Sequence, residues 1–412
     1  MVDLAARVAA ALSWRERAGL VRERAERVLE GAPGPRVCVR GRELWNFASN
    51  SYLGLSTHPR VVAALVAEAE RTGASSTASR QVAGNLAAHQ QLETALAELK
   101  RQEEALLFSS GYAANLGVLG ALGRALDVAS GEHDAAPPLF VSDALNHASI
   151  IDGCRLSGAE VAIYPHGNAA AAYLLLARAR VEGRRALLVT ESRFSMDGDV
   201  APLAALAQAC RTHGAALVVD EAHATGVDGE GRGIVHELGL AAKVDVVVGT
   251  LGKALGAHGA YAAGARATMR YLENAARPFV YSTGLPAHLA AAALAALVVL
   301  REERPDRTLV AKVRALRALL AERALEDVVG RGADGPILPV RVGDPARAMT
   351  LARHLGEHEV LAVAIRPPTV PEGGARVRLS VRADHPHEAL VALADALASA
   401  RAAGLVPQRG SS

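Results

Sequence analysis

The chain has 412 residues, of which 50% are hydrophobic and 21% charged, and its formal net charge is +2. Such an apolar chain can bury a core, which excludes an intrinsically disordered protein. The small net charge gives no electrostatic reason to expect nucleic acid or an anionic membrane as a partner. Its three cysteines form no CxxC pair, so they predict neither a disulfide framework nor a thiolate metal site. Without a signal-peptide pattern, and with a longest apolar run of only residues 289–300, the chain is expected to be cytoplasmic.

Both ends of the chain carry patterns of their own. Residues 1–30 read as one amphipathic helix, which Pro33 and Pro35 end, and two short strands follow at 36–40 and 43–47. After a helix near 285–303, the pattern predicts, in order, a helix, a strand, a helix, a strand and a helix at 308–324, 337–342, 346–358, 376–381 and 387–402. We therefore expect an N-terminal segment at 1–45, a large domain at 46–304, a small α+β domain at 305–405 and a frayed tail at 406–412.

Between these ends, short apolar runs alternate with alanine-rich helical patterns. The runs predict strands at 105–108, 139–142, 161–164, 186–190, 216–220 and 244–249. Helices are predicted at 89–101, 112–122, 148–156, 169–181 and 203–213. This alternation is typical of an α/β fold with a mostly parallel sheet and helices on both faces.

Ligands of a parallel sheet bind beyond the carboxyl ends of its strands, so the residues there are candidates for a site. Ser110, Gly111 and Tyr112 open a helix, whose free N–H groups suit a phosphate; the alternative is a tight turn with a serine cap. His147 follows the next predicted strand. It is either a polar loop residue or an aromatic platform for a flat ring.

Two further strand ends carry an acid and a lysine. Asp220 ends an apolar strand, where a carboxylate needs a cationic or hydrogen-bonding partner. With the three residues that follow it, up to His223, Asp220 forms a string that also occurs in ATPases, but such an enzyme requires an upstream phosphate loop, which the sequence lacks. A metal site is not indicated either, because Asp220 and His223 have no third ligand at a suitable spacing. Lys253 stands among small residues after the next strand. Burial would favour its nucleophilic form, and an exposed loop lysine is equally compatible with the pattern.

Taken together, these groups match the requirements of pyridoxal 5′-phosphate (PLP). A lysine forms a Schiff base with its aldehyde, a buried acid pairs with its pyridine nitrogen, and a helix N-terminus binds its phosphate. The carboxylate keeps the pyridine nitrogen protonated, so the ring can accept the electrons of a carbanion. The residues therefore predict a PLP site.

Eight strings resemble the α-oxoamine synthases, PLP-dependent enzymes of fold type I, in the order in which that family carries them. They lie at residues 46–55, 108–115, 142–149, 190–199, 220–226, 250–256, 281–284 and 365–371. The resemblance extends from about residue 43 to about residue 400 and implies a large, mostly parallel sheet of the seven-stranded type plus a small C-terminal domain. Each string alone is weakly specific, and their shared order makes the set specific.

The resemblance implies a role toward PLP for each motif residue. Lys253 would carry the cofactor and later move protons, and Asp220 would pair with the pyridine nitrogen. His147 would stack on the ring, while Ser195 and His223 would contact its phenolic oxygen.

It also implies a phosphate site and a dimer. The backbone amides of Gly111 and Tyr112, beside Ser110 and with the Thr250 hydroxyl, would hold the phosphate. Thr283 is similar to a residue that reaches the phosphate of the neighbouring subunit. A homodimer with shared active sites follows.

The implied reaction is a decarboxylative Claisen condensation of an amino acid with an acyl thioester of CoA or a carrier protein. Arg378, helped by Asn50 and Arg366, would bind the amino-acid carboxylate; the alternative for Arg378 is a strand-edge surface arginine. Residues 82–85 and 365–369 favour L-alanine and a pimeloyl thioester, as used in biotin synthesis. Glycine or serine with other thioesters, an aminotransferase or lyase, and a non-catalytic protein of the same fold remain alternatives.

One departure from the family pattern concerns Arg193. This residue stands where the family usually has a small apolar one. We expect it either to contact the acyl group or a CoA phosphate, or to lie on the surface.

Overall fold

The computed structural model describes residues 3–22, 28–128, 136–330 and 335–406. In these ranges the strands are β1 (Leu29–Glu30), β2 (Arg36–Val39), β3 (Arg42–Asn46), β4 (Glu104–Phe108), β5 (Leu139–Asp143), β6 (Glu160–Tyr164), β7 (Ala186–Glu191), β8 (Ala216–Asp220), β9 (Val246–Thr250), β10 (Ala260–Gly264), β11 (Ile337–Gly343), β12 (Val360–Leu361), β13 (Val363–Ile365) and β14 (Ala375–Ser380). The α-helices are α1 (Leu4–Arg17), α2 (Pro59–Thr72), α3 (Ala87–Lys100), α4 (Gly111–Val128), α5 (Ala148–Leu156), α6 (Ala169–Val181), α7 (Leu203–His213), α8 (Ile234–Glu237), α9 (Arg266–Ala275), α10 (Arg277–Val280), α11 (Ala287–Glu303), α12 (Pro305–Glu322), α13 (Pro345–Glu357) and α14 (His387–Ala402).

Most of one compact unit is formed by Asn50–Ala311, around a seven-stranded sheet in the order β4-β10-β9-β8-β7-β5-β6. Neighbours from β9 to β6 pair in parallel, whereas β10 is antiparallel to both β4 and β9. The predicted α/β fold with a mostly parallel sheet is thus confirmed. The carboxyl ends of β7, β8 and β9 meet at one edge of this sheet.

At the centre of the sheet both faces are buried, which explains why β7 and β8 are nearly continuous apolar runs, whereas the edge strand β6 leaves Ile163 exposed. Successive residues of a strand point to opposite faces. Leu187 and Val218 accordingly belong to one apolar cluster, whereas Leu188 and Val219 belong to another. All four side chains are fully buried.

Strand β10 was not predicted from the sequence. Its residues, Ala260–Gly264, are mostly alanine and glycine, which have low strand propensity. Small residues fit here because the strand is buried between two others, and Tyr261 covers Gly249, where an added Cβ would lie 2.3 Å from the tyrosine hydroxyl.

A second unit comprises Met1–Ser49, Lys312–Gly332 and Pro336–Ser412. It holds a four-stranded sheet in the order β1-β2-β3-β12 and a three-stranded sheet in the order β11-β14-β13. In the three-stranded sheet β14 is the central strand and pairs antiparallel with both neighbours. Of the predicted frayed tail, Val406 is buried and residues 407–412 lie outside the described residues.

The expectation of one helix over residues 1–30 is wrong. Helix α1 ends at Arg17, and Gly19 adopts a left-handed φ of +63° that interrupts a helix. Farther along, Leu29 pairs with Val39 as part of a strand; residues 23–27 lie outside the described residues. Across the described ranges, no helix is both long and apolar enough to cross a bilayer.

Candidate active site

The ends of β7 and β8 bring two carboxyl groups to the same edge of the sheet. Glu191, the last residue of β7, is in register with Asp220, the last residue of β8. Both are buried, with 3% and 6% of their surface exposed. Asp220 thus ends its strand, as the apolar run at 216–220 predicts.

Asp220 is oriented by two neutral donors. Asn115 Nδ2 of α4 donates to Asp220 Oδ2 at 2.8 Å, and the backbone N–H of Ala222 donates to Oδ1 at 2.8 Å. Asn115 Nδ2 also lies 2.9 Å from Ser149 Oγ. The carboxylate is therefore held in one orientation without its charge being neutralised by these two donors.

Lys253 is hydrogen-bonded to the segment that follows β8. Its Nζ lies 2.8 Å from His223 Nε2. On the other side of the imidazole, His223 Nδ1 lies 2.7 Å from Tyr52 Oη, and Tyr52 Oη donates to Asn50 Oδ1 at 3.3 Å. The structure thus brings Lys253, His223 and Asn50 into one hydrogen-bonded chain, through a tyrosine that the sequence reading did not single out.

His147 is the N-cap of α5. Its Nδ1 accepts from the backbone N–H of Ser149 at 3.2 Å and lies 2.8 Å from Ser149 Oγ. The residue is exposed, yet the atoms around it desolvate the ring and lower the pKa of His147; the carboxylate of Asp220 opposes this shift and the charge of Lys253 adds to it. A neutral imidazole with exposed surface suits stacking against a flat ring.

The start of α4 lies beside the end of β9. Gly111 begins the helix, and a Cβ added there would lie 3.9 Å from Thr250 Cβ. Ser110 Oγ accepts from the backbone N–H of Ala113 at 3.1 Å, so the serine cap is present. Tyr112 is exposed and its hydroxyl donates to Asp152. The Thr250 side chain thus lies next to the N-terminus of α4, whose first N–H groups lack partners within the helix, and the Thr250 hydroxyl donates to the carbonyl of Gly259 at 3.1 Å.

The remaining predicted residues occupy several positions. Ser195 is half-buried in the loop after β7, and Thr283 is exposed between α10 and α11. In the second unit, Arg378 is buried on the central strand β14, so the alternative of a strand-edge surface arginine is wrong. Arg366 donates to the backbone carbonyls of Gly19 and Val21.

Glu191 lies beside Asp220 at the sheet edge, and the sequence alone did not predict a role for it. Burial, and secondarily the charge of Asp220, raise the pKa of Glu191 to about 8, while the charge of Lys253 acts in the opposite direction. The carboxyl is thus expected to be largely protonated at neutral pH. Only the strand register, which is not readable from one sequence, places it beside Asp220.

Both expectations for Arg193 are wrong. The side chain is buried, with 3% exposed, and it does not reach the surface. Its Nε and Nη2 donate to the two carboxylate oxygens of Asp228 at 3.0 and 2.5 Å, and Nη1 donates to the carbonyl of Gly198 at 2.6 Å. All three of these nitrogens donate to groups within the protein, so Arg193 forms a structural ion pair with Asp228.

His166 connects the end of β5 to the loop that carries Ser195. Its Nδ1 lies 2.9 Å from Asp143 Oδ1, and its Nε2 lies 2.8 Å from Asp199 Oδ2. These hydrogen bonds to Asp143 and Asp199 raise the pKa of His166 to about 10. The imidazolium therefore stays charged at neutral pH and holds two carboxylates together.

We expect His166→Gln to destabilise the protein in a pH-dependent way. Because the folded pKa lies above the ordinary value of about 6.5, the stabilisation is complete below pH 6.5 and declines as the pH rises through about 10. The free energy of unfolding should fall by about 1.5–3 kcal/mol at pH 6. Urea unfolding of both proteins at pH 6, 8 and 10 measures this difference, and a difference that does not shrink with pH would contradict it.

Comparison with known proteins identifies the class. A model of the family "Aminotransferase class I and II" matches residues 42–397, so the chain belongs to that family. It is a PLP-dependent α-oxoamine synthase. The predicted family, fold type and cofactor are confirmed.

Individual relatives narrow this class further. The chain is 51% identical to the 8-amino-7-oxononanoate synthase of Anaeromyxobacter dehalogenans strain 2CP-1 over 356 residues, which cover 86% of this chain and 85% of the relative. Among solved structures, it matches a serine palmitoyltransferase holding PLP as its internal aldimine, with TM-score 0.88, 27% identity, and coverage of 98% and 100% of the two chains. It also matches the 8-amino-7-oxononanoate synthase of Francisella tularensis, with TM-score 0.71, 26% identity, and coverage of 88% and 99%.

The residues at the sheet edge fit PLP. Asp220 is a buried carboxylate whose two neutral donors leave its charge available to a pyridinium nitrogen. The N–H groups that open α4 at Gly111 lie next to the Thr250 side chain, a setting that suits a phosphate, and His147 offers exposed ring surface. Among the described residues, no cluster of three or more histidine, cysteine or acidic side chains could hold a metal ion.

Proposed function

We propose that this chain makes 8-amino-7-oxononanoate from L-alanine and a pimeloyl thioester of CoA or a carrier protein, with release of CO2 and the free thiol. The observation that carries the proposal is the 51% identity to a synthase of that name over 86% of the chain. The convergence of Lys253, His223 and Asp220 at one sheet edge supports it, because these side chains are the ones the chemistry requires.

In this proposal the residues at the sheet edge hold PLP. When bound, PLP withdraws electrons from the α-carbon of the amino acid and so stabilises a carbanion there. Lys253 Nζ holds the cofactor and moves the proton of the α-carbon, while Asp220 keeps the pyridine nitrogen protonated. His147 covers one ring face, and His223 and Ser195 donate toward the phenolic oxygen.

The family resemblance also underlies the proposed phosphate ligands and the proposed dimer. The backbone N–H groups of Gly111 and Tyr112, next to Ser110, and the hydroxyl of Thr250 bind the phosphate. The exposed position of Thr283 is compatible with a contact to a second subunit, so we propose a homodimer in which Thr283 of the partner subunit completes each phosphate site.

The substrate carboxylate is assigned to Arg378 and Asn50. A guanidinium group matches a carboxylate in charge and in its paired donors. Arg366 is proposed as a secondary ligand, because two of its nitrogens donate to the carbonyls of Gly19 and Val21.

The proposal predicts turnover with L-alanine and a pimeloyl thioester, and at least about 100-fold lower kcat/KM with glycine or L-serine in place of alanine, because the site must accept one side chain and reject others. Thiol release and the mass of the product measure this preference. Pimeloyl-CoA and pimeloyl carrier protein are compared in parallel to identify the thiol carrier.

Because the matched solved structures include serine palmitoyltransferases, L-serine is the most important alternative substrate to test. The match to serine palmitoyltransferase has the higher TM-score, 0.88 against 0.71, at similar identity. Backbone similarity reports fold, and substrate choice depends on the side chains of the site. Turnover with serine and a long-chain acyl thioester, without turnover with alanine and a pimeloyl thioester, would contradict the proposal.

A further inference from the structure

A chain of hydrogen bonds leads from Lys253 into the core of its unit. It runs from Lys253 Nζ to His223 Nε2 at 2.8 Å, and from His223 Nδ1 to Tyr52 Oη at 2.7 Å. Tyr52 Oη in turn donates to Asn50 Oδ1 at 3.3 Å. His223 and Tyr52 are 4% and 0% exposed, so close packing fixes the orientation of both rings.

The positions of the protons follow from what each group can donate. The amide oxygen of Asn50 can only accept, so it takes the single hydroxyl proton of Tyr52. Tyr52 Oη then accepts from His223 Nδ1, which must carry a proton. A neutral imidazole protonated on Nδ1 has its lone pair on Nε2, and Nε2 accepts from Lys253 Nζ.

We propose that Tyr52 is a positioning residue that holds His223 as the base for Lys253. This inference rests on the proposed role of Lys253 as the residue that binds PLP. A nucleophile, a base and a group that orients the base form the arrangement by which proteins activate weak nucleophiles. Here those groups are Lys253, His223 and Tyr52.

The proton transfer occurs before the cofactor is attached. The ammonium group of Lys253 gives one proton to His223 Nε2, which leaves an uncharged amine and an imidazolium. The amine lone pair attacks the aldehyde carbon of PLP, a C=N bond forms, and the carbonyl oxygen leaves as water. The imidazolium keeps its Nδ1–H on Tyr52 Oη, so the tyrosine accepts a hydrogen bond both before and after the transfer.

The test is the rate at which the cofactor-free full-length chain attaches PLP, followed by visible absorbance and by borohydride trapping. Tyr52→Phe removes only the hydroxyl, and we expect attachment at pH 7 to slow about 10-fold, less than the 100-fold or more typical for loss of a base itself. Near pH 10, solvent can take the proton from a lysine, so the two rates should converge.

Two controls separate this role from a structural one. Tyr164→Phe removes the hydroxyl of another fully buried tyrosine of the same unit and should attach PLP at the wild-type rate. Pyridoxamine 5′-phosphate has the ring, phenolic oxygen and phosphate of PLP but no aldehyde, so its affinity in Tyr52→Phe reports any loss of ring binding, and the attachment rates are compared at saturating PLP. A wild-type attachment rate in Tyr52→Phe, or an equal slowing at pH 7 and pH 10, overturns the proposal.

A second variant keeps the proposal testable if Tyr52→Phe does not fold. His223→Gln removes the base, so attachment at pH 7 should slow at least as much as in Tyr52→Phe; a wild-type rate overturns the proposal. When both variants fold, their combined effect should be smaller than the product of the single effects, because they act on one proton transfer. No amino acid or thioester is used, so a wrong substrate assignment leaves the result intact, whereas a wild-type chain that attaches no PLP shows that the proposed function itself fails.

Discussion

Lys253→Ala is expected to abolish covalent attachment of PLP and to lower kcat/KM by at least about 1,000-fold, because both the attachment point and the group that moves the proton are lost. Lys253 Nζ lies 2.8 Å from His223 Nε2, in the segment that follows β8, and the side chain of an alanine is too short to reach that position. The measurement combines steady-state kinetics with borohydride reduction and mass mapping of the labelled peptide.

Lys243→Ala is the matched control for this variant. Lys243 is exposed and lies ten residues earlier in the chain, so its loss removes the same charge without touching the site. It should keep the labelled peptide and the wild-type rate. Labelling of another lysine in Lys253→Ala, with activity within tenfold of the wild type, would show that the attachment point has been assigned incorrectly.

The part of the fold that could be predicted is the part specified by local pattern. The runs at 186–190 and 216–220 are apolar throughout because both faces of the sheet are buried, and β7 and β8 lie there. The same reasoning located Asp220 and Lys253, because ligands of such a sheet bind where its strands end. Position along the chain was sufficient for these residues.

The remaining features depend on pairings between distant segments. Glu191 acquires its raised pKa from burial and from Asp220, which lies on the next strand of the sheet. Arg193 finds its partner, Asp228, 35 residues later in the chain. Tyr52 and His223 meet across 171 residues. One sequence contains the residues of each pair and not their pairing. The sequence therefore predicted Arg193 either at an acyl group or CoA phosphate or on the surface, and not in this buried ion pair.

Asp220→Asn is expected to lower kcat by about 100-fold or more, because a neutral amide cannot keep a proton on the pyridine nitrogen, and carbanion stabilisation depends on that proton. The substitution keeps the shape of the side chain. Both carboxylate oxygens accept hydrogen bonds, from Asn115 and from the backbone of Ala222, so an amide at this position also loses one of them.

Asn115→Ala separates the charge from that hydrogen bond. It removes the donor to Asp220 and leaves the carboxylate in place, so its kcat should fall by about 10-fold, which corresponds to about 1.5 kcal/mol, the lower end of the range for one hydrogen bond to a charged group. A PLP analogue methylated on the pyridine nitrogen carries a permanent positive charge and needs no acid to maintain it. This analogue should restore activity to Asp220→Asn; if it does not, Asp220 acts mainly by positioning, and the protonated ring nitrogen is not what the carboxylate contributes.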